Sequence, residues 1–341
     1  MAAPAVISGA TTGYRLRARL AIRGRVGSPK LGLFEHGTHR VVHIPACSVH
    51  HPLINQVAAI VRRALVDARA TSYSDKAHLG LARYLQVVVE RSSQTAQVVL
   101  VANSAHVEPV VPCFELIRER LGADLHSLWF NSQMERSNTV LGSEFYRWYG
   151  AESVVERFGG AEVYYPPGAF GQSNLEIAEN IIEHVRDLVP EGARVAEFYA
   201  GVGAIGLSLL ARVGGLHLNE VGTESLRGLE LGLAQLDSNT RAKIRITPGT
   251  AGEACSAAAD AHVVIADPPR KGLDPALTAF LAANPPARFI YVSCGFESLR
   301  RDAAQLTSSG KLHLHNLTAF NLMPFTEHVE TVACFDRVLL S

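Results

Sequence analysis

The chain has 341 residues, 48% of them apolar and 19% charged, proportions that fit a folded globular protein and exclude disorder and a coiled coil. That length accommodates two domains, each able to bury its own core. Lys and Arg total 32 against 32 for Asp and Glu, so net charge gives no sign of a nucleic-acid or membrane partner.

Five cysteines, at positions 47, 113, 255, 294 and 334, are scattered and never form a C-x-x-C pair. Neither a disulfide framework nor a zinc or cluster site is expected, which points to a reducing compartment. The start from Met1 to Gly9 lacks the charged beginning and long apolar core of a signal peptide, and no run approaches the roughly 18 apolar residues of a membrane span. The expectation is a soluble, cytoplasmic protein.

Residues 1–34 hold Arg15, Arg17, Arg19, Arg23, Arg25 and Lys30 and no acid. Arg15, Arg17 and Arg19 alternate with Leu16, Ala18 and Leu20, a period of two that predicts a strand with three arginines on one face. A basic patch and a solvated edge strand guarded by charge are both compatible with it. A strand pair follows over residues 32–44, with a turn near Glu35-His36-Gly37. Residues 52–70 carry apolar side chains at helical spacing. Residues 85–90 and 97–102 form a predicted hairpin around Arg91-Ser92-Ser93-Gln94. A helix over 114–121 and a strand over 125–131 complete an α+β domain, residues 1–165, in which the strands are grouped.

Beyond Tyr165 the grammar changes. Asn174 precedes Leu175, Ile177, Ala178, Ile181, Ile182 and Val185, a capped amphipathic helix with Glu176 in its first turn. Strands at 194–199, 215–219, 244–247, 262–266 and 288–292 then alternate with helices at 204–212, 225–236, 275–282 and 299–308. Such βαβ units predict a parallel-rich α/β sheet over residues 166–341.

Three stretches of that sheet carry chemistry. Tyr199-Ala200-Gly201-Val202-Gly203 lies between a strand and a helix, where glycines let backbone approach a ligand and a helix N-terminus offers free N–H groups. Glu220 ends the next strand, placed to accept hydrogen bonds from ribose hydroxyls of a dinucleotide or of S-adenosylmethionine. Tyr291-Val292-Ser293-Cys294 delivers one cysteine to a strand end, which makes Cys294 a nucleophile candidate.

Asp267-Pro268-Pro269-Arg270-Lys271-Gly272 ends a further strand, and an acid followed by two prolines in this place is a mark of methyltransferases acting on planar nitrogenous bases. Together with Phe170-Gly171-Gln172-Ser173-Asn174 and Pro324-Phe325-Thr326-Glu327-His328-Val329-Glu330, these motifs occur in an order that resembles the RNA 5-methyluridine (uracil-5-) methyltransferase family. Gly37-Thr38-His39-Arg40-Val41-Val42 and Asn138-Thr139-Val140-Leu141-Gly142 match more loosely in the first half.

The resemblance implies a Rossmann-like methyltransferase domain preceded by a smaller α+β RNA-recognition region, S-adenosylmethionine as cofactor, and transfer to carbon-5 of a uridine in transfer or ribosomal RNA. It implies Cys294 as nucleophile and Glu330 as base. Gln172, Tyr199, Gly201, Glu220 and Asp267 are the implied cofactor positions. Carbon-5 of uracil is too poor a nucleophile unaided, so a thiolate must add to carbon-6 and a base must later remove the carbon-5 proton. A positive neighbour or the helix N-terminus beyond Cys294 is expected to depress the thiol pKa, and alternation is expected to put His328 and Glu330 on one strand face. The other four cysteines are expected to serve packing.

Three departures stand out. Gly295-Phe296 follows the cysteine where the family usually has Asn-Pro, Ala200 stands where the loop usually has a cysteine, and Thr250 replaces the usual acid, with Glu253 close by. Only Cys47 and Cys113 are available in the first half, too few for the four-cysteine iron–sulfur site of several relatives. No metal is expected at the nearby histidines, His36, His39, His43, His50 and His51. RNA is the expected partner of a monomeric enzyme, with Trp129, Phe130, Trp148, Tyr149 and Phe170 considered for base stacking. Two alternatives stay open: a catalytically weakened RNA-binding factor on this scaffold, and a methyltransferase for another base or base nitrogen.

Overall fold

The computed structural model describes residues 5–338, so Met1 to Pro4 of the stretch inspected for a leader lie outside the described residues. Two compact units divide the chain. One takes residues 10–156 and Pro166–Gly168; the other takes residues 5–9, Arg157–Tyr165 and everything described from Ala169 onward. The single cut expected near residue 165 thus becomes an interleaved path.

After β1 (Ala5–Ile7), which belongs to the second unit, the first unit runs through β2 (Arg17–Arg25), β3 (Ser28–Phe34), β4 (Val41–His43), α1 (Pro52–Asp67), β5 (Ala82–Glu90), β6 (Thr95–Ala102), α2 (Val111–Leu121), β7 (Leu125–Ser132) and β8 (Glu144–Gly150). These strands form one sheet in the order β4-β3-β2-β5-β6-β7-β8. The predicted hairpin is present as β5–β6, with Val88 opposite Gln97, and β6–β7 is a parallel pair. α1 packs on β3, β5 and β6, and α2 on β7.

The arginine-bearing strand starts later than predicted, at Arg17, and runs on to Arg25; β2 lies between β3 and β5 in the sheet, pairing with β5 over Arg17–Ala21 and with β3 over Ala21–Arg25. Arg23 is buried there. Its guanidinium pairs with Asp75 at 2.6 Å and lies 5.1 Å from the ring centroids of both Tyr73 and Tyr84. A paired cation enclosed by aromatic faces holds this fold together rather than meeting a ligand.

The second unit contains β9 (Val154–Phe158, shared at its start with the first unit), β10 (Ala161–Tyr165), α3 (Leu175–Leu188), β11 (Arg194–Phe198), α4 (Ala204–Ser208), β12 (Gly215–Glu220), α5 (Thr223–Leu233), α6 (Ser238–Arg241), β13 (Ile244–Pro248), β14 (Val263–Ala266), α7 (Pro275–Ala283), β15 (Arg288–Ser293), α8 (Phe296–Thr307), β16 (Leu312–Phe320) and β17 (Glu330–Arg337). Its eight-stranded sheet has the order β1-β16-β17-β15-β14-β11-β12-β13. The five strands from β15 to β13 are parallel, and β17 inserts antiparallel between β15 and β16. β14 reads Val-Val-Ile-Ala because all four residues are buried, as expected for a strand covered on both faces.

Asn174 caps α3 by accepting a hydrogen bond from the Ile177 N–H at 3.3 Å. α4 is shorter than predicted, ending at Ser208, whose hydroxyl bonds the Ile205 carbonyl at 2.6 Å and competes with the helical ladder. β11 connects through α4 to β12 on one side, while β14 connects through α7 to β15 on the other. The direction of progression therefore reverses between β11 and β14, and the crevice outside their carboxyl ends is where such sheets bind ligands. No described helix is long and apolar enough to cross a membrane.

Candidate active site

The carboxyl ends of β11, β12, β14 and β15 present Tyr199, Glu220, Asp267 and Cys294 in turn. Ser293 pairs with Thr331 as the last rung of β15–β17, so Cys294 and Glu330 face each other one step further on. The Thr331 hydroxyl donates to the Ser293 carbonyl at 3.2 Å and pins that rung. His328 falls in the loop before β17, so it does not share a strand face with Glu330 as predicted.

Glu330 is 4% exposed, and its Oε1 has no hydrogen-bond partner among the described residues. Burial, reinforced by the Asp267 charge and opposed by Arg270, pushes its pKa up to about 8. Asp267 keeps an edge in solvent but is enclosed by protein on most sides, and that desolvation raises it to about 7. The half-buried Cys294 thiol is also raised, first by burial and then by the Glu330 and Asp267 charges, with Arg270 pulling the other way. The expected depression of this thiol is therefore corrected: burial raises it first, the two carboxylates add to that, and the single cation Arg270 does not offset them.

The Asp267–Gly272 loop approaches the cysteine closely. A Cβ on Gly295 would lie 3.1 Å from the Arg270 carbonyl oxygen and 2.8 Å from Ser298 Oγ. Gly295 is thus the residue that lets this loop approach the start of α8, and its carbonyl accepts the Ser298 hydroxyl at 2.8 Å. At the other end of the loop, Asp274 N–H donates to Tyr199 Oη at 2.8 Å.

Tyr199 adopts φ 60°, Gly201 φ 57° and Gly203 φ 85°. A non-glycine residue in the left-handed region carries strain, and the Asp274 bond helps to hold Tyr199 there. A Cβ on Gly201 would meet nothing within 4 Å, so the turn leaves open space at its crest. The Glu220 carboxylate ties that turn to the start of α5, accepting the Gly201 N–H at 2.7 Å and the Gly222 N–H at 2.6 Å. Gln172 lies partly exposed in the loop leading to Asn174. Glu253 folds over the turn after β13, its Oε2 accepting the Thr250 N–H at 3.0 Å and hydroxyl at 2.7 Å.

Sequence reasoning missed Glu197. It is 2% exposed, its Oε2 lacks a partner among the described residues, and burial followed by the Asp267 charge raises its pKa well above the usual range. Glu197 also explains Gly206, because a Cβ there would run into Oε2. The overlooked signal was one acid within the otherwise apolar Val195-Ala196-Glu197-Phe198.

Other features lie elsewhere. Cys113 and Cys334 are buried and raised to about 11, while Cys47 and Cys255 are half-buried. Trp129 and Phe130 are 2% and 3% exposed, which removes both as stacking platforms, whereas Phe170 is 68% exposed. The histidines near Cys47 have separate tasks: His43 bonds the Leu31 backbone and His51 caps α1. Among the described residues, His313, His315 and Asp336 bring potential metal-ligand atoms together, but Arg288 occupies both Asp336 oxygens, at 2.7 and 3.2 Å.

Comparison with known proteins decides the family. The profile of the tRNA (uracil-5-)-methyltransferase family matches residues 256–338. An uncharacterized RNA methyltransferase of Protochlamydia amoebophila is 35% identical over 98% of this chain and 88% of its own length. The chain belongs to the RNA (uracil-5-)-methyltransferase family. An uncharacterized RNA methyltransferase of Geobacter sulfurreducens is 28% identical over 96% of the chain and 66% of its own length. The tRNA (uracil-54, C5)-methyltransferase of Pyrococcus abyssi, solved with S-adenosyl-L-homocysteine, shares the fold with a TM-score of 0.81 at 22% identity, covering 97% of this chain and 78% of that one.

The residues of this RNA (uracil-5-)-methyltransferase fit S-adenosylmethionine as methyl donor. Gly201 opens the space that a Cβ would begin to fill, and Glu220 keeps unused lone pairs for ribose hydroxyls beside its two backbone bonds.

Proposed function

We propose that the enzyme methylates carbon-5 of a uridine in folded RNA through Cys294 as nucleophile and Glu330 as proton acceptor. The register that sets these two residues face to face at the end of β15–β17 is the observation that carries this. S-adenosylmethionine supplies an electrophilic methyl group when bound. Gln172, Tyr199, Gly201, Glu220 and Asp267 form its cradle, with Glu220 holding the glycine turn in shape.

The Cys294 thiolate forms a bond to carbon-6 of the uracil, and the electron pair of the 5,6-double bond moves toward carbon-5, which becomes nucleophilic. After methylation, ionised Glu330 takes the carbon-5 proton, the double bond re-forms and the bond from Sγ to carbon-6 breaks, returning the thiolate. Arg270 faces both groups and favours the ionised form of each. The first unit supplies RNA recognition in this scheme, and the target nucleotide leaves its stack to reach Cys294.

RNA containing 5-fluorouridine tests the mechanism. Carbon-5 of the methylated adduct then holds fluorine, which Glu330 cannot remove as a proton, so the thiol stays attached. A cofactor-dependent RNA–protein adduct mapped to Cys294 by peptide mass spectrometry is expected. Its absence with the 5-fluorouridine form of an RNA that the enzyme methylates would overturn the proposed nucleophile. Nucleoside mass spectrometry of transfer and ribosomal RNA from cells with and without the gene identifies the RNA that carries the modification.

A further inference from the structure

Arg270 is the positive group acting on Cys294, facing Glu330 from β17 and Asp267 from its own loop. Its side chain is exposed, so the charge stays beside the thiol only if the loop is held. The loop is anchored to α8 from behind. Asp302, 2% exposed, accepts the Leu273 N–H at 2.9 Å and the Tyr291 hydroxyl at 2.8 Å, both on Oδ2. Its Oδ1 accepts Nε and Nη2 of Arg301 at 2.9 and 2.7 Å, and the same Nη2 reaches the Lys271 carbonyl at 2.7 Å.

Tyr291 is fully buried on β15, three residues before Cys294. Gly272 sits at φ +89°, and a Cβ there would collide with Asp302 Oδ2 and with Arg301. The buried carboxylate is therefore a fixed joint between the cysteine-bearing strand, the helix that follows it and the loop that carries Arg270. A buried carboxylate satisfied by four donors has one geometry available to it, whereas an exposed pair would wander.

We infer that Asp302 is a positioning residue for the reaction: through Tyr291 and Leu273 it clamps the Arg270 loop onto the strand ending in Cys294 and so holds the guanidinium beside the thiol. This deepens the proposed mechanism and rests on Cys294 being the nucleophile. Asp302 touches neither the thiol nor the base, and its effect passes through the loop.

The test reads the thiol itself. Alkylation of Cys294 by iodoacetamide is followed between pH 6 and 10 by peptide mass spectrometry on the full-length protein and its Asp302→Asn, Tyr291→Phe and Arg270→Gln variants. Each is expected to move the alkylation profile to higher pH and to slow the reaction at pH 8 by roughly threefold or more, because the thiolate is the reactive form. The Asp302→Asn/Arg270→Gln double variant is expected to be no slower than Arg270→Gln alone. Profiles that superimpose on the parent protein in both clamp variants, or losses that add in the double variant, would overturn the inference. Tyr291→Phe keeps the buried ring, so it carries the test if Asp302→Asn does not fold. Alkylation needs neither RNA nor turnover, so its failure is distinct from failure of the fluorouridine adduct.

Discussion

Cys294 and Glu330 stand opposite each other at the open end of the β15–β17 ladder, one step beyond the Ser293–Thr331 pair. Remote in sequence, they share one wall of the crevice because β17 returns antiparallel beside the strand that delivers the cysteine. The carboxylate is buried, with Oε1 unpaired among the described residues, so a proton on it is favoured until a cation or a reacting carbon changes its surroundings.

Removing the base should stall the reaction after methyl transfer. In Glu330→Gln, a covalent complex with ordinary uridine RNA is expected to accumulate on denaturing gels, with turnover reduced on the order of 10²-fold or more. A variant that turns over normally with no trapped complex would show that another group takes the proton.

The pH dependence of turnover follows from the same pair. Glu330 titrates at about 8 and Cys294 above its ordinary range, and both must be ionised to act. kcat/KM for RNA is therefore expected to rise from pH 6 to beyond pH 8, steeply at first, as measured under subsaturating RNA. A profile that is flat across this range would contradict the raised base.

Folding stability should move in the opposite direction. The unfolded chain's glutamic acid titrates near 4.3, while the folded one holds its proton until about 8. The folded state binds the extra proton between those values, so its stability falls as pH rises through that window and levels off above it. Glu330→Gln removes this penalty and should stabilise the protein at pH 9 by on the order of 2 kcal/mol, with little gain at pH 4. Thermal unfolding of both proteins at the two pH values measures the difference.

Glu220 holds the glycine turn through the Gly201 amide and ties it to the start of α5 through the Gly222 amide. Losing both charge-assisted bonds in Glu220→Ala should weaken S-adenosylmethionine binding by roughly tenfold or more, as read by titration calorimetry, while the affinity for RNA stays near that of the parent enzyme.

Gly295 admits the Arg270 carbonyl into the space a side chain would take. Gly295→Ala should therefore displace the loop, lowering kcat by roughly tenfold with a smaller change in the RNA KM. The family's more usual asparagine, introduced as Gly295→Asn, is expected to do no better here. Single-turnover rates of both variants distinguish a displaced loop from lost RNA binding.

The sequence by itself determined the elements and much of the chemistry. Apolar runs broken by Gly201, Asp267 and Cys294 marked the strand ends, because a strand buried on both faces must be continuously apolar and its polar residues collect where it emerges. Periodicity located α1 and α3, and Asn174 marked the start of the latter. What it left open were relations between segments. That β2 is an interior strand, with Arg23 buried against Asp75 and three aromatic rings, depends on which strands flank it. That Glu197 lies against Gly206 of α4, and that Asp302 ties Tyr291 to Leu273, depends on contacts between segments that no local pattern records. The thiol shows the difference most plainly: neighbours in sequence suggested a depressed pKa, but burial in the folded crevice raises it first, and the carboxylates that add to the shift come from β17 and from the loop after β14. Coulomb energy follows distance in space, and only the tertiary structure sets that distance.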